Sequence, residues 1–241
     1  MAVEFLPCGD TGLTVQFGDD IDRDLNRRVL RIRAAVDDAS LPGIIETVPT
    51  YRSLTIHYDP LLTSQADIIE ALRPLLEPTP DDGAATGKCW RIPVCFDGDD
   101  FAPDMAYVSD WAKMTPDAII DIMTSVTHFV YMIGFAPGLP YMGDLPESLA
   151  IPRRTDPRPG VPAGGVLIAT GLTVIYPVTN ATGWHMIGRT PVPLFDVNAD
   201  NPLLLSPGDT MTLYRIDEND FRSVEESVQA GTFEPEREPS A

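Results

Sequence analysis

Residues 151–195 read IPRRTDPRPGVPAGGVLIATGLTVIYPVTNATGWHMIGRTPVPLF. Glycine and proline interrupt the apolar runs VLIA and LTVI every few residues, so this stretch cannot form a long helix and must fold as short strands joined by tight turns. The same texture extends upstream into VYMIGFAPGLPYMGDLP (130–146) and downstream past the turn Pro207-Gly208-Asp209 into TMTLYR (210–215). Short apolar strands punctuated this regularly predict a small β-barrel or sandwich.

Between 157 and 195 there are 39 residues with no Asp or Glu, although the chain carries 36 acids in 241 residues, a density that would place about six there. Within the run Arg158, His185 and Arg189 are therefore unopposed. With Arg153, Arg154, Tyr141, Tyr176, Trp184 and Thr190 they form a set suited to a small anionic ligand, a carboxylate or carbonyl phosphate. Arginine's planar fork binds such groups through two hydrogen bonds, and Trp or Tyr supplies an apolar wall beside it. Turns at Gly164 and Gly165 would bring backbone N–H groups close to the same ligand. His185 has the ordinary pKa of about 6.5 that suits a general acid or base near neutrality. The bland alternative is a β domain whose Gly and Pro serve turns alone, with solvated arginines and a structural histidine.

Other common chemistries lack their signatures. There is no G-x-S-x-G turn, no H-E-x-x-H and no G-x-x-x-x-G-K-[ST] loop, and Gly134 and Gly138 do not make a dinucleotide fingerprint.

Three blocks in order, GFAPGLPYMGDLP (134–146), PRRTDPRPGVPAGGV (152–166) and IYPVTNATGWHMIGRTP (175–191), resemble blocks of the allophanate hydrolase subunit 1 family. Those blocks read GF.PGF.YL, PR...PR..VPAGSV and YP...PGGW.LIGRTP, and the family includes the B-type subunit of 5-oxoprolinase and the KipI kinase inhibitor. The similarity spans about residues 6–215. The resemblance implies a cyclophilin-like β-barrel. It also implies a subunit of an ATP-dependent 5-oxoprolinase-type amide hydrolase, which converts 5-oxoproline, ATP and water into glutamate, ADP and phosphate. A sister barrel subunit, related to allophanate hydrolase subunit 2 or to the C-type subunit of 5-oxoprolinase, and a third, catalytic subunit would complete the machine, so ATP enters at the level of the complex. Opening a lactam this way requires a phosphorylated intermediate, whose charge arginines and backbone N–H groups stabilise. The same resemblance carries two alternatives, a KipI-type histidine kinase inhibitor and a biotin-dependent carboxyltransferase half-domain related to urea amidolyase.

The chain departs from the family pattern at several positions. The segment MTSVTHFVYMIGF aligns with a block beginning H-S-x-x-x-Y-x-V, which sets Met123 at the family's histidine and His128 at its tyrosine. Leu139 stands where phenylalanine is usual, and Gly165 where serine is common. Proton transfer would then fall to His128 or His185, with Arg189 beside them as the third catalytic candidate, or be lost.

Composition bounds the rest. A chain with 44% hydrophobic and 22% charged residues is ordinary globular material. A net charge of −19 would repel a nucleic-acid backbone rather than neutralise it. The N-terminus MAVEFLPCGD lacks a basic region followed by an apolar run, and no apolar stretch of about 20 residues occurs, so a cytoplasmic protein without a membrane partner is expected. Cys89 and Cys95 fall in one expected strand, about 20 Å apart at 3.3 Å per residue and beyond disulfide reach. Cys8 is an odd third. With no C-x-x-C and no nearby histidine pair, neither a metal site nor a prosthetic group is expected.

The N-terminal part reads as alternating elements. Leu13, Val15 and Phe17 alternate as in a strand, and Leu25, Val29, Ile32 and Val36 form the stripe of a helix capped by Asp20 or Asp22. Strands follow at 44–48 and 53–58, with His57 on the polar face. A second helix, capped by Ser64 with Asp67, carries Ile68, Leu72 and Leu75, and a strand at 89–96 comes after it. This β-α-β-β-α-β order is that of a ferredoxin-like α/β sandwich. The segment EPTPDDGAATGK (77–88) lies before the last strand as a linker, so that strand can instead open the next domain. The expected division is 1–87 for the ferredoxin-like domain and 88–241 for the barrel. The barrel domain would include a loop and short helix over 101–112, a helix opened by Thr115-Pro116, a closing helix near 220–230 and a disordered tail from 234. The fold class is α+β.

Overall fold

The computed structural model describes residues 3–77 and 87–238, and the chain divides into two compact units, Met1–Thr86 and Gly87–Ala241. Most of the expected linker, 78–86, lies outside the described residues.

The first unit runs β1 (Glu4–Pro7), β2 (Gly12–Gln16), α1 (Arg23–Ala39), β3 (Ile44–Pro49), β4 (Ser53–Tyr58) and α2 (Gln65–Leu75). Its four strands form an antiparallel sheet in the order β1-β2-β4-β3. The period of two holds along β4: Leu54, Ile56 and Tyr58 are buried while His57 is half-exposed. Val29, Ile32 and Val36 of α1 and Ile68 and Leu72 of α2 pack into one core with that face. Each such buried aliphatic side chain contributes about 1.5–3 kcal/mol before chain entropy is counted. Local signals set the helix starts. The Asp22 carboxylate accepts from Leu25 N at 2.9 Å, and Ser64 and Asp67 form a reciprocal capping box.

The expected β-α-β-β-α-β order is not the one adopted. The strand at 89–95 belongs to the second unit, and the fourth strand of the sheet is β1, hydrogen-bonded to β2. The reason is local: a short turn through Gly9, at φ +64°, joins β1 to β2, and Cys8 N donates to Gly12 O at 2.9 Å. A hairpin closed over so few residues has a small loop-closure cost.

The second unit runs β5 (Cys89–Cys95), α3 (Gly98–Phe101), α4 (Met105–Ala112), α5 (Pro116–Ser125), β6 (His128–Ile133), β7 (Pro140–Met142), β8 (Arg158–Val161), β9 (Gly165–Ala169), β10 (Leu172–Ile175), β11 (Asn180–Thr182), β12 (His185–Arg189), β13 (Thr210–Ile216), α6 (Glu218–Gln229) and β14 (Glu236–Glu238). Seven of these strands close into a mixed barrel in the order β12-β9-β10-β7-β6-β13-β5. Arg189 of β12 pairs with Cys95 of β5 to complete the ring. The β13–β5 pair is parallel, from Thr210↔Cys89 to Ile216↔Cys95. β8 and β11 form a separate two-stranded ribbon.

Every residue of β9 is buried, because the strand is covered on both faces: Val166 and Ile168 join the main core, Leu167 and Ala169 a second core with Tyr176 and Trp184. The Pro207-Gly208-Asp209 turn is fastened by the buried Asp209 carboxylate, which accepts from Lys88 N at 2.8 Å, Ser206 N at 2.9 Å and Trp90 Nε1 at 3.1 Å. Thr115 caps α5, with Pro116 at its first turn.

The expectation of a disordered tail from 234 fails for part of it. Glu236–Glu238 pairs antiparallel with β5, Glu236 bonds Arg91 at 2.8 Å, and the Arg237 guanidinium lies 4.6 Å from the centre of the Trp90 ring. Residues 239–241 lie outside the described residues. Cys8 is an exposed free thiol and Cys95 a buried one. No helix among the described residues is long and apolar enough to cross a membrane.

Candidate functional site

Backbone hydrogen bonds lace the second and third sequence blocks together. Gly164 N donates to Tyr176 O at 2.7 Å, Tyr176 N to Gly165 O at 2.9 Å, and Thr190 N to Gly164 O at 2.9 Å. Gly164 has φ +80°, and a Cβ there would lie 2.0 Å from Thr190 O, so only glycine lets the two segments approach this closely. The result is a cleft of about 230 Å³ lined by Gly164, Tyr176, Arg189 and Thr190, by the prolines that follow them, and by Glu225, Val228 and Gln229 of α6. Four candidate residues read from the sequence are thereby brought together. Two polar groups of the wall are already engaged: Tyr176 Oη donates to Thr182 Oγ1 at 2.8 Å, and Thr190 Oγ1 accepts from Val192 N at 3.1 Å.

Arg189 is the cationic group of this cleft. Its Nε donates to Ala163 O at 3.1 Å, and its guanidinium sits 5.3 Å from the centre of the Phe221 ring on α6. An adjoining cavity of about 310 Å³ is lined by Asp100, Phe101, Glu218, Phe221 and Arg222, and Arg189 and Glu225 line both spaces. Among the described residues Arg189 makes no ion pair. The Nε hydrogen bond and the Phe221 ring together hold the guanidinium in one orientation.

The other candidate arginines lie elsewhere. Asp104, 2% exposed, accepts on one carboxylate oxygen from both Arg154 Nη1 and Arg158 Nη2, each at 2.6 Å. Its second oxygen accepts from Met186 N at 2.9 Å. The acid-free run is thus neutralised from outside: it holds no acid of its own to pair with Arg158, yet the fold delivers one from position 104. No sequence signal marks Asp104, since the pairing spans 50 residues or more and only the barrel brings its members together.

His185 belongs to this second cluster. It is 2% exposed, donates from Nε2 to Pro152 O at 3.0 Å, and stacks on Tyr107 with ring centres 5.2 Å apart. Its Nδ1 is buried without a partner. Burial pushes its pKa below the usual imidazole value, against the raising influence of the Pro152 carbonyl and Asp104, while Arg154 and Arg158 lower it further. Burial thus favours the neutral form of His185.

A third group surrounds Trp184. Arg153 lies over its ring at 5.6 Å, and Tyr141 meets it edge-on at 6.3 Å. Burial raises the Tyr141 phenol, Tyr176 adds to the rise, and Arg153 opposes it. A Cβ at Gly165 would lie 2.8 Å from Val161 Cγ1, so the serine of the family pattern would require the Val161 side chain to shift. His128 and Met123 are both fully buried, with His128 Nε2 3.1 Å from Met123 O. His128 thus sits in the core, outside the lining of the Arg189 cleft. Among the described residues no group of His, Cys, Asp and Glu is arranged to hold a metal ion.

The carboxyltransferase domain family, subdomain C and D, matches residues 3–205. The chain is 35% identical over 232 residues to the B-type subunit of 5-oxoprolinase from Bacillus subtilis (strain 168), covering 90% of this chain and 95% of that one. It is 32% identical over 203 residues to the B-type subunit of 5-oxoprolinase from Escherichia coli O157:H7, covering 84% of this chain and 91% of the relative. Among solved structures, the K. lactis urea amidolyase superposes with a TM-score of 0.77 over 98% of this chain at 20% identity, and this chain spans 16% of that one. At that identity the likeness concerns the fold.

Proposed function

Because the chain belongs to the carboxyltransferase domain family of subdomains C and D, we propose that it is one subunit of a 5-oxoprolinase-type complex and that the Arg189 cleft holds the anionic group of its ligand. The observation that carries this reading is the similarity to the B-type subunit of 5-oxoprolinase along nearly the whole of both chains. The cleft supplies the chemistry such a subunit needs. Arg189 offers a preorganised positive charge, and the Gly164 turn and the Tyr176 and proline walls give it a shaped, partly apolar surround. Charge that develops as a lactam carbonyl is phosphorylated and opened is stabilised best by donors fixed in advance.

Among the described residues, this cleft holds no nucleophile with an adjacent base. His185 is buried and engaged with the Pro152 carbonyl, and His128 lies in the core. Nucleotide binding and the hydrolytic step therefore fall to partners, a sister barrel subunit and a third subunit, working in the cytoplasm where ATP is supplied. The test is co-expression of the chain with a candidate sister barrel subunit, followed by addition of a candidate third component and an assay of glutamate formed from 5-oxoproline and ATP. Co-purification of the two barrels and ATP-dependent glutamate formation are expected. A chain that purifies alone and instead captures a histidine kinase would favour the kinase-inhibitor reading. The carboxyltransferase domain match favours a second reading, a carboxyltransferase half-domain, which a requirement for a biotinylated carrier would identify.

A further inference from the structure

The C-terminal helix α6, Glu218–Gln229, begins beyond residue 205, where the family match ends, yet it forms one wall of the cleft. Its residues Phe221, Glu225 and Gln229 recur at spacings of four, and Val228 follows Glu225 by three, which sets them on a single helix face. An amphipathic helix ordinarily keeps that face apolar. Here Phe221 is buried beneath the Arg189 guanidinium, but the next residue along the face is Glu225, a half-buried carboxylate that lines both the 230 Å³ and the 310 Å³ cavities. Among the described residues Glu225 makes no ion pair or side-chain hydrogen bond.

We infer that Glu225 is a specificity-determining residue, which with Arg189 selects ligands carrying an N–H donor beside an anionic group. The inference rests on the reading of the cleft as the substrate site. A carboxylate on a cavity wall accepts hydrogen bonds only and repels a bare ether or ester oxygen, whereas a guanidinium donates only. A ligand that satisfies both must present an anionic acceptor and an N–H donor close together. Small lactam carboxylates and amino acids have that pattern, and the corresponding lactones do not. Gln229, on the same face, can supplement either role through its amide.

The test is a pair of ligands on the full chain in its assembled complex: 5-oxoproline, and the analogue in which the ring N–H is replaced by oxygen. Dissociation constants are measured by calorimetry for the wild type, Glu225→Ala, Glu225→Gln and Arg189→Ala, with circular dichroism to establish that each variant is folded. The wild type is expected to prefer the lactam by about ten- to hundredfold, the range of a hydrogen bond to a charged acceptor. In Glu225→Ala that preference should collapse through weaker lactam binding, with lactone binding unchanged or improved, and Glu225→Gln should keep part of it through its amide oxygen. Preference that survives intact in a folded Glu225→Ala variant overturns the inference. Loss of both ligands in Arg189→Ala supports the underlying cleft, whereas a wild-type complex that binds neither ligand overturns cleft and inference together. Unchanged binding in Arg189→Ala with a collapsed preference in Glu225→Ala would uphold Glu225 and remove Arg189 as the anion anchor.

Discussion

Arg158 Nη2 lies 2.6 Å from Asp104 Oδ1, the same oxygen that Arg154 Nη1 reaches at 2.6 Å, and the acid is almost wholly buried while the two arginines remain partly exposed. Replacing Asp104 leaves two guanidinium groups and the Met186 N–H without their acceptor. Asp104→Ala should destabilise the protein by about 3 kcal/mol, the low end for breaking a buried pair because the arginines keep some water. Arg154→Met or Arg158→Met alone should cost about 1 kcal/mol, since the carboxylate retains its other donors. Urea unfolding measures both, and an Asp104→Ala loss no larger than that of the single arginine variants would contradict the shared-acceptor arrangement.

His185 gives the stability a pH dependence of definite sign. Its folded pKa is lowered by burial from the ordinary imidazole value, so the unfolded chain binds the proton more readily. The stabilising contribution is complete above about pH 6.5 and is lost as the pH falls through that value toward the folded pKa. Unfolding free energy should drop between about pH 7 and pH 5, and His185→Gln, which can still donate to Pro152 O, should flatten that part of the profile. Proton NMR should place the His185 titration below the usual imidazole range. Identical profiles for wild type and variant over this window would show that the histidine is not held neutral.

The contact between Gly164 and Thr190 predicts a steep glycine requirement. Gly164→Ala combines φ +80° with a Cβ 2.0 Å from a carbonyl oxygen, whereas Gly160, at φ +67°, has nothing within 4 Å of its Cβ position. The first substitution should cost about 3 kcal/mol or more, and the second only the left-handed penalty of about 1–2 kcal/mol. Thermal denaturation of the two variants compares them directly, and equal losses would argue against the close approach that shapes the cleft.

Features governed by nearby residues were legible in the sequence. Asp22, Ser64 and Thr115 stand where the helices start, and the glycine and proline punctuation of 129–213 does mark barrel strands. The blocks around Gly164, Tyr176 and Arg189 do meet in one cleft, because turn chemistry is written locally. What the sequence concealed is tertiary. Arg158 looked as available as Arg189, and only the fold distinguishes them, by bringing Asp104 to one and Phe221 to the other. The edge strand β1 is short and ends in proline, and β14 lies in an acidic tail, so neither carries the alternation that identifies a strand. The role of α6 as a cleft wall could have been suspected from Glu225 on an otherwise inward helix face.

Under the proposed function, this chain contributes the Arg189 cleft to a multi-subunit, ATP-driven enzyme and does not turn over by itself. The most direct measurement is 5-oxoproline-dependent phosphate release from ATP by three preparations: the chain alone, the complete mixture with sister barrel and third subunit, and that mixture carrying Arg189→Ala. The expected result is no 5-oxoproline-dependent release from the chain alone, clear stimulation in the complete mixture, and a loss of about a hundredfold in kcat/KM with Arg189→Ala, near 2.7 kcal/mol of transition-state stabilisation. Turnover by the isolated chain, or full activity of the mixture carrying Arg189→Ala, would contradict it.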